Sequence, residues 1–189
     1  SLDVMEETFR QAGLSGCLCY ETSDRNIPAD GVAENTRFIK KTQASGDGQV
    51  TALFGLHAQM TLSDATLEAT ARVCNETKAG VHIHVAEDLS DATDCIAKHG
   101  SRIIQRLHTF GLTGKNSLFI HGIHLDESEM DRKLLNAIKG AKTVIELQAA
   151  LLAFTKDAGG EVPDFTEQAA AACACCSAAG AAGANLGGA

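Results

Sequence analysis

Four times along the chain, a short apolar run of strand length gives way to a stretch with helical spacing. That alternation limits the fold more than any other feature. The runs are residues 15–21 (SGCLCYE), 50–57 (VTALFGLH), 81–86 (VHIHVA) and 117–123 (SLFIHGI). After them come a polar helix over 33–44, a helix capped by Thr61 or Ser63 and running to residue 78, and a helix marked by Ile103, Ile104, Leu107 and Phe110. The fourth helix opens with Asp126 and Glu129 in the spacing of a capping box and continues through Met130, Leu134 and Ile138. Ahead of the first strand, Leu2, Met5, Phe9 and Ala12 recur at helical spacing until Gly13 stops the run. Strands alternating with helices predict βαβ units and a parallel sheet. Four units fit half a barrel or a smaller open sheet, and periodicity alone does not choose between them.

The length of 189 residues is enough for one domain with a real core. It is short of the roughly 250 residues of a complete (β/α)8 barrel. The net charge of -8, from 16 basic against 24 acidic residues, gives no basic footprint for nucleic acid or an anionic membrane. An aromatic content of 4% with no Trp also argues against stacking platforms for single strands. No stretch reads as a membrane span. Residues 1–13 read as an acidic amphipathic helix rather than a secretion leader, and the seven cysteines are an odd number. A cytoplasmic setting with free or buried thiols is the expectation.

The alternation stops after residue 140. Residues 141–168 take no assignment: 144–154 (VIELQAALLAF) suits strand or helix, and Gly159, Gly160 and Pro163 break the pattern. Residues 169–189 are almost all Ala, Gly and Cys, a tail with too little apolar bulk for a packed core. Its Cys173, Cys175 and Cys176 form a tight C-A-C-C cluster without the second ligand pair that a zinc site needs.

Histidines gather where a parallel α/β sheet collects ligands, in or just after the strands: His57, His82, His84, His121 and His124. Alternation over 81–86 puts Val81, Ile83 and Val85 on one face and His82 and His84 on the other. Two imidazoles on an inward face each need a partner: a metal, a carboxylate or a carbonyl. Glu87 would point away from His84 on an ideal strand, but a strand ending near Ala86 lets the turning chain swing it over the site. A carboxylate there can move protons beside a metal-activated water. His121, before Gly122 at the end of the next strand, can approach His84. His82 and His124 read as structural, and His99 and His108 take no role. Cys17 and Cys19 share a strand face, as small buried hydrophobes often do.

The segments 13–26 (GLSGCLCYETSDRN), 54–64 (FGLHAQMTLSD), 81–88 (VHIHVAED) and 120–129 (IHGIHLDESE) fall in an order that resembles the amidohydrolase superfamily, in its guanine-deaminase-like and chlorohydrolase-like branch. The resemblance covers residues 1–138. It implies a TIM-type (β/α) barrel, here a partial barrel of about four βα units over residues 1–140. It implies a divalent metal, zinc or iron, with His84 as the metal-binding His. Glu87 matches the Glu that shuttles a proton to the substrate's ring nitrogen or leaving amine. His121 matches the His that orients the reacting groups, and His57 a His that faces the substrate. The implied reaction is hydrolysis of a non-peptide carbon–nitrogen bond in a small heterocycle, a purine- or triazine-like ring.

The sequence also departs from the family. No H-x-H precedes Ser15, where the family has a metal-binding pair, and nothing after Ile138 matches the family's late metal-binding Asp. The segment from Val144 onward looks unrelated. The expectation is a truncated or rearranged aminohydrolase whose open sheet edges favour self-association. Two alternatives stay open: a non-catalytic α/β remnant or interaction module, and a thiol or metal-handling role for the tail.

Overall fold

The strand at Val81–Val85 sets the pattern of the molecule. Val81, Ile83 and Val85 are buried in the core, and the histidines between them are half-buried. The computed structural model describes residues 1–130. Their elements are α1 (Leu2–Gln11), β1 (Gly16–Leu18), α2 (Pro28–Ser45), β2 (Val50–Ala52), β3 (Phe54–Ala58), α3 (Asp64–Thr77), β4 (Val81–Val85), α4 (Leu89–His99), α5 (Ile103–Thr109) and β5 (Leu118–His121). Two short 3-10 turns follow β3 (Gln59–Thr61) and β5 (Glu127–Glu129). Ser1–Glu129 form one compact unit. The expected continuation of the fourth helix through Leu134 and Ile138, residues 141–168 and the tail lie outside the described residues.

Every strand pair is parallel. β1 pairs with β2, and β3, β4 and β5 follow in that order. The two sheets are parts of one run, because Thr22, beyond β1, pairs with Leu56 of β3. With β2 and β3 taken as one broken strand, the described residues hold four strands paired in chain order, and helices follow the first three. This is the succession of a (β/α) barrel, whereas an open doubly wound sheet reverses its strand order at a switch point.

The break between β2 and β3, not foreseen in the single run 50–57, has a local cause. Between Leu18 and Thr22 the first strand does not pair directly, and the side chain of buried Asn35 from α2 takes over. Its Oδ1 accepts the backbone N–H of Tyr20 (2.9 Å) and of Gly55 (3.2 Å), and its Nδ2 donates to Tyr20 O (2.8 Å). The backbones come so close there that a Cβ on Gly55 would stand 2.3 Å from Tyr20 O. The ladder resumes where Thr22 N donates to Gly55 O (3.1 Å) and His57 N to Thr22 O (3.0 Å).

The helices differ from expectation in three places. α2 begins earlier than residue 33, at Pro28, whose fixed φ and missing N–H suit the first position of a helix. Ser63 is the N-cap of α3, as expected, accepting Thr66 N–H. Between β4 and β5 the chain builds two helices, α4 and α5, where the apolar spacing pointed only to the second. In α1, Leu2 is buried and Phe9 packs on the core, but Met5 faces solvent and Glu6 is buried in its place. Glu6 bonds Arg10 (2.9 Å) and Lys41 (2.7 Å), which lets a carboxylate occupy an inner position.

The larger core cluster lies between the strands and α2 to α5, around Phe54, Leu56, Leu67, Ile83, Ile103 and Leu107. Among the described residues, no helix is long and apolar enough to cross a membrane.

Candidate active site

The apolar face of β4 packs inward and leaves His82 and His84 together on the other face, with ring centres 5.9 Å apart. β4 ends at Val85. The next residue, Ala86, has φ of 49°, in the left-handed region. That reversal carries Glu87 across the strand end, and its Oε2 lies 3.4 Å from His121 Nε2. His121 closes β5 with φ of 71° and is followed by Gly122 with φ of 67°. Left-handed geometry at a non-glycine residue costs roughly 1–2 kcal/mol. Such strain persists where surrounding structure holds it, and it clusters at functional sites. Here the two turns hold each other: Gly122 N donates to Val85 O (2.9 Å) and His124 N to Ala86 O (3.0 Å).

Across this pair of turns, His84 Nδ1 is 3.1 Å from His121 Nε2, with ring centres 5.1 Å apart. One ligand atom from each of His84, Glu87 and His121 lies within 4.8 Å of the other two. Donors bound tetrahedrally to zinc at about 2.0–2.1 Å stand about 3.3–3.4 Å from one another. The separations of 3.1 and 3.4 Å match that spacing. Two imidazole nitrogens and one carboxylate oxygen also form a donor set suited to zinc or ferrous iron. The residues present therefore fit a divalent cation.

His57 stands one strand away on β3, its ring centre 6.3 Å from that of His84. A register shift between Gly55 and Ala58 lets β3 spend an extra residue against β4 near its end, which alters the aim of the side chains there. His57 Nδ1 is 2.9 Å from Thr61 Oγ1, and Thr61 Oγ1 donates to Ala58 O (2.9 Å). A hydroxyl has one proton, so Thr61 can only accept from His57. That assigns the proton to Nδ1 and leaves a lone pair on Nε2.

The other histidines stand apart from the donor trio. Burial of the His82 ring, reinforced by neighbouring His84, holds its pKa below the ordinary imidazole value, so His82 is neutral at pH 7. His99 is the last residue of α4, and His108 on α5 pairs with Thr113 Oγ1 at 2.8 Å. His124 contributes its backbone to the paired turns and accepts from Arg102 through its carbonyl (3.3 Å). A cavity of about 500 Å3 lies beside the turn after β3, lined by residues that include Asp24, Thr61, Lys98 and His99, and none of the clustered side chains borders it.

Glu129 fulfils half of the expected capping box, since its carboxylate accepts Asp126 N–H (3.0 Å). It also accepts Ile104 N–H (3.0 Å) and Arg102 Nε (2.6 Å), tying the loop after β5 to the start of α5. Sequence reasoning missed Gln59, Asp91 and Arg106, all of them buried polar side chains. A signal existed for Arg106: it lies three residues after Ile103 and next to Leu107, on the apolar face of its helix.

The sequence pattern of the amidohydrolase family matches residues 2–180. The chain belongs to that family. The match runs past residue 138, where the motif resemblance ends, and takes in residues 144–180. Among curated relatives of this amidohydrolase, the 5'-deoxyadenosine deaminase of Methanobrevibacter smithii is 25% identical over 141 residues, which are 73% of this chain and 32% of that protein. The 5-methylthioadenosine/S-adenosylhomocysteine deaminase of Desulfitobacterium hafniense is 28% identical over 140 residues, 73% of this chain and 32% of the relative. The chain thus spans about a third of the length of these relatives. In solved structures, the zinc-bound adenosine deaminase of Xanthomonas campestris superposes with a TM-score of 0.63 at 20% identity, over 79% of this chain and 38% of the other. The likeness shows the fold, a part of the amidohydrolase (β/α) barrel.

Proposed function

We propose that this amidohydrolase supplies the proton-handling side of a metal-dependent aminohydrolase site that releases ammonia from a purine- or triazine-like ring. The observation that carries the reading is the convergence of His84, Glu87 and His121 at the ends of β4 and β5. The named activities of the relatives, deamination of adenosine-type compounds, agree with it.

In this reading His84 is the metal ligand. A divalent cation bound there would supply Lewis-acid polarisation and a nucleophile at neutral pH. Glu87 takes a proton from the attacking water on its carboxylate and passes it to the ring nitrogen or the leaving amine, which departs as ammonia. His121 Nε2, within reach of both His84 and Glu87, orients the reacting groups and supports charge on the carboxylate. His57 presents Nε2 as an acceptor toward the substrate, held in that tautomer by Thr61. The half-buried setting of His84 beside the more exposed Glu87 and His121 leaves the carboxylate accessible to a small heterocycle.

The test is a zinc titration of the purified full chain, with ammonia release assayed on adenosine-type nucleosides, guanine and an aminotriazine. Stoichiometric zinc that is lost in His84→Ala, together with ammonia release lost in Glu87→Gln, is the expected result. Zinc binding unaffected by His84→Ala would refute the metal assignment. No ammonia from any substrate class would leave a non-catalytic α/β module as the reading for this chain.

A further inference from the structure

Asp91 is a buried acid, 5% exposed, that no step of the proposed reaction uses. It lies in the first turn of α4, but it is not needed as a cap: Asp88 holds the N-cap position and accepts Ser90 N–H at 2.8 Å. Both Asp91 oxygens are engaged elsewhere. Oδ2 accepts the backbone N–H of Ala86 at 2.9 Å, and Oδ1 accepts Gln59 Nε2 at 3.0 Å. Gln59 is fully buried and passes the connection on, accepting Arg106 on its Oε1 (3.0 Å) and its backbone O (3.1 Å). Arg106 ends the chain of bonds at Leu62 O (2.9 Å) and Asp64 Oδ1 (2.7 Å).

This interior chain starts at the one peptide whose direction decides where Glu87 points. Ala86 has φ of 49°, a value its Cβ disfavours, and it immediately precedes Glu87. An extended Ala86 would continue the alternation of β4 and send Glu87 to the face opposite His84. The backbone of Ala86 is gripped on both sides, its N–H by Asp91 and its C=O by His124 N–H. The second grip comes from the loop that follows His121. The first comes from α4, and through Gln59 and Arg106 from the turn after β3 and from α5.

We propose that Asp91 is a positioning residue for Glu87: its carboxylate holds the left-handed turn at Ala86 and so keeps the Glu87 carboxylate beside His121. The inference rests on the reading of Glu87 as the proton-handling group, but its test can be read independently of that reading. The experiment is NMR on the labelled full chain, following amide exchange at Ala86 and the cross-peak between the Glu87 side chain and the His121 ring. The unaltered chain is expected to show a slowly exchanging Ala86 amide and a clear cross-peak. Asp91→Ala is expected to speed exchange at Ala86 by at least about tenfold, because the buried donor loses its acceptor, and to abolish the cross-peak. Asp91→Asn keeps the shape with one acceptor oxygen in place of two, and is expected to weaken the cross-peak. It carries the test if Asp91→Ala does not fold.

Cys95→Ala is the control, since Cys95 is buried on the same helix and bonds to no part of the turn. It is expected to keep the cross-peak even where its loss of Tm equals that of the Asp91 variants. An absent cross-peak in the unaltered chain, a cross-peak retained in the Asp91 variants, or an equal loss in Cys95→Ala would each overturn the proposal. Glu87→Gln separates the two readings: undiminished ammonia release in that variant sinks the proton-handling role and leaves the NMR result on Asp91 standing.

Discussion

His84 Nδ1 and His121 Nε2 face one another at 3.1 Å from neighbouring parallel strands, close enough that a single proton is shared between two basic nitrogens. A divalent cation on His84 would take the lone pair engaged in that contact, the proton moving to another ring nitrogen. Calorimetric titration with zinc reads the affinity. His84→Ala is expected to weaken binding by at least about tenfold, and His121→Ala, which removes only a neighbour of the ligand, by less. Equal affinity in the parent and His84→Ala would mean that His84 holds no metal.

His57 offers a prediction that needs no metal. Nitrogen chemical shifts are expected to show its Nδ1 protonated and its Nε2 bare in the neutral ring, as the Thr61 hydroxyl requires. Thr61→Val removes the acceptor and is expected to give a mixture of the two tautomers. A ring already mixed in the parent would break the link between Thr61 and His57.

Two glycines mark places where the barrel wall leaves no room for a side chain. A Cβ on Gly80 would fall 2.0 Å from Asn116 O, and one on Gly55 would fall 2.3 Å from Tyr20 O, both backbone atoms that cannot turn aside. Gly80→Ala and Gly55→Ala are expected to lower stability by about 3 kcal/mol or more. Gly114→Ala, with nothing within 4 Å, is expected to be neutral within about 0.5 kcal/mol. Urea unfolding of the three variants tests the contrast.

Asp47 gives a pH signature. Bonds from Ser45 Oγ, Arg10 and the backbone N–H of Gln49 lower its pKa from 3.8 to about 2. A carboxyl with a depressed folded-state pKa stabilises the fold above its unfolded value and loses that contribution as pH falls through the folded value. The Tm difference between the parent and Asp47→Asn is expected to be full above pH 3.8 and to fade on the way to about 2. Being at the surface, the effect is small and shrinks further in salt. A difference that persists unchanged to pH 2 would show that charge is not its source.

The sequence carried much of the site because β4 obeys simple alternation. Val81, Ile83 and Val85 point inward, so the placement of His82 and His84 follows from counting by two. Glu87 needed more, since its direction depends on a left-handed residue that no side-chain pattern announces at an alanine. α4 escaped notice because its inner face is built from Ala92, Cys95 and a buried Asp91, while its large apolar residues Leu89 and Ile96 are exposed. Periodicity detects bulk, and this helix buries little of it. The start of α2 was hidden in the same way. Pro28, Asp30 and Gly31 read as turn formers, yet Gly31 is there because a Cβ would meet Thr22 Oγ1 at 2.6 Å. Asn35 and Gln59 act through long-range backbone contacts, which no local pattern encodes.

The pairing of the strands in chain order has a consequence for how such a site is born. Each described strand after β1, on leaving the ribosome, finds its partner already made and docks without waiting for a later segment. His57 would be in place first, His84 and Glu87 next, and His121 last, so the cluster of His84, Glu87 and His121 would be completed only when β5 closes against β4. A nascent chain halted before Leu118 would hold its Glu87 turn without the loop that grips it from the other side. The trio would thus gain its geometry in the one step in which β5 docks on β4.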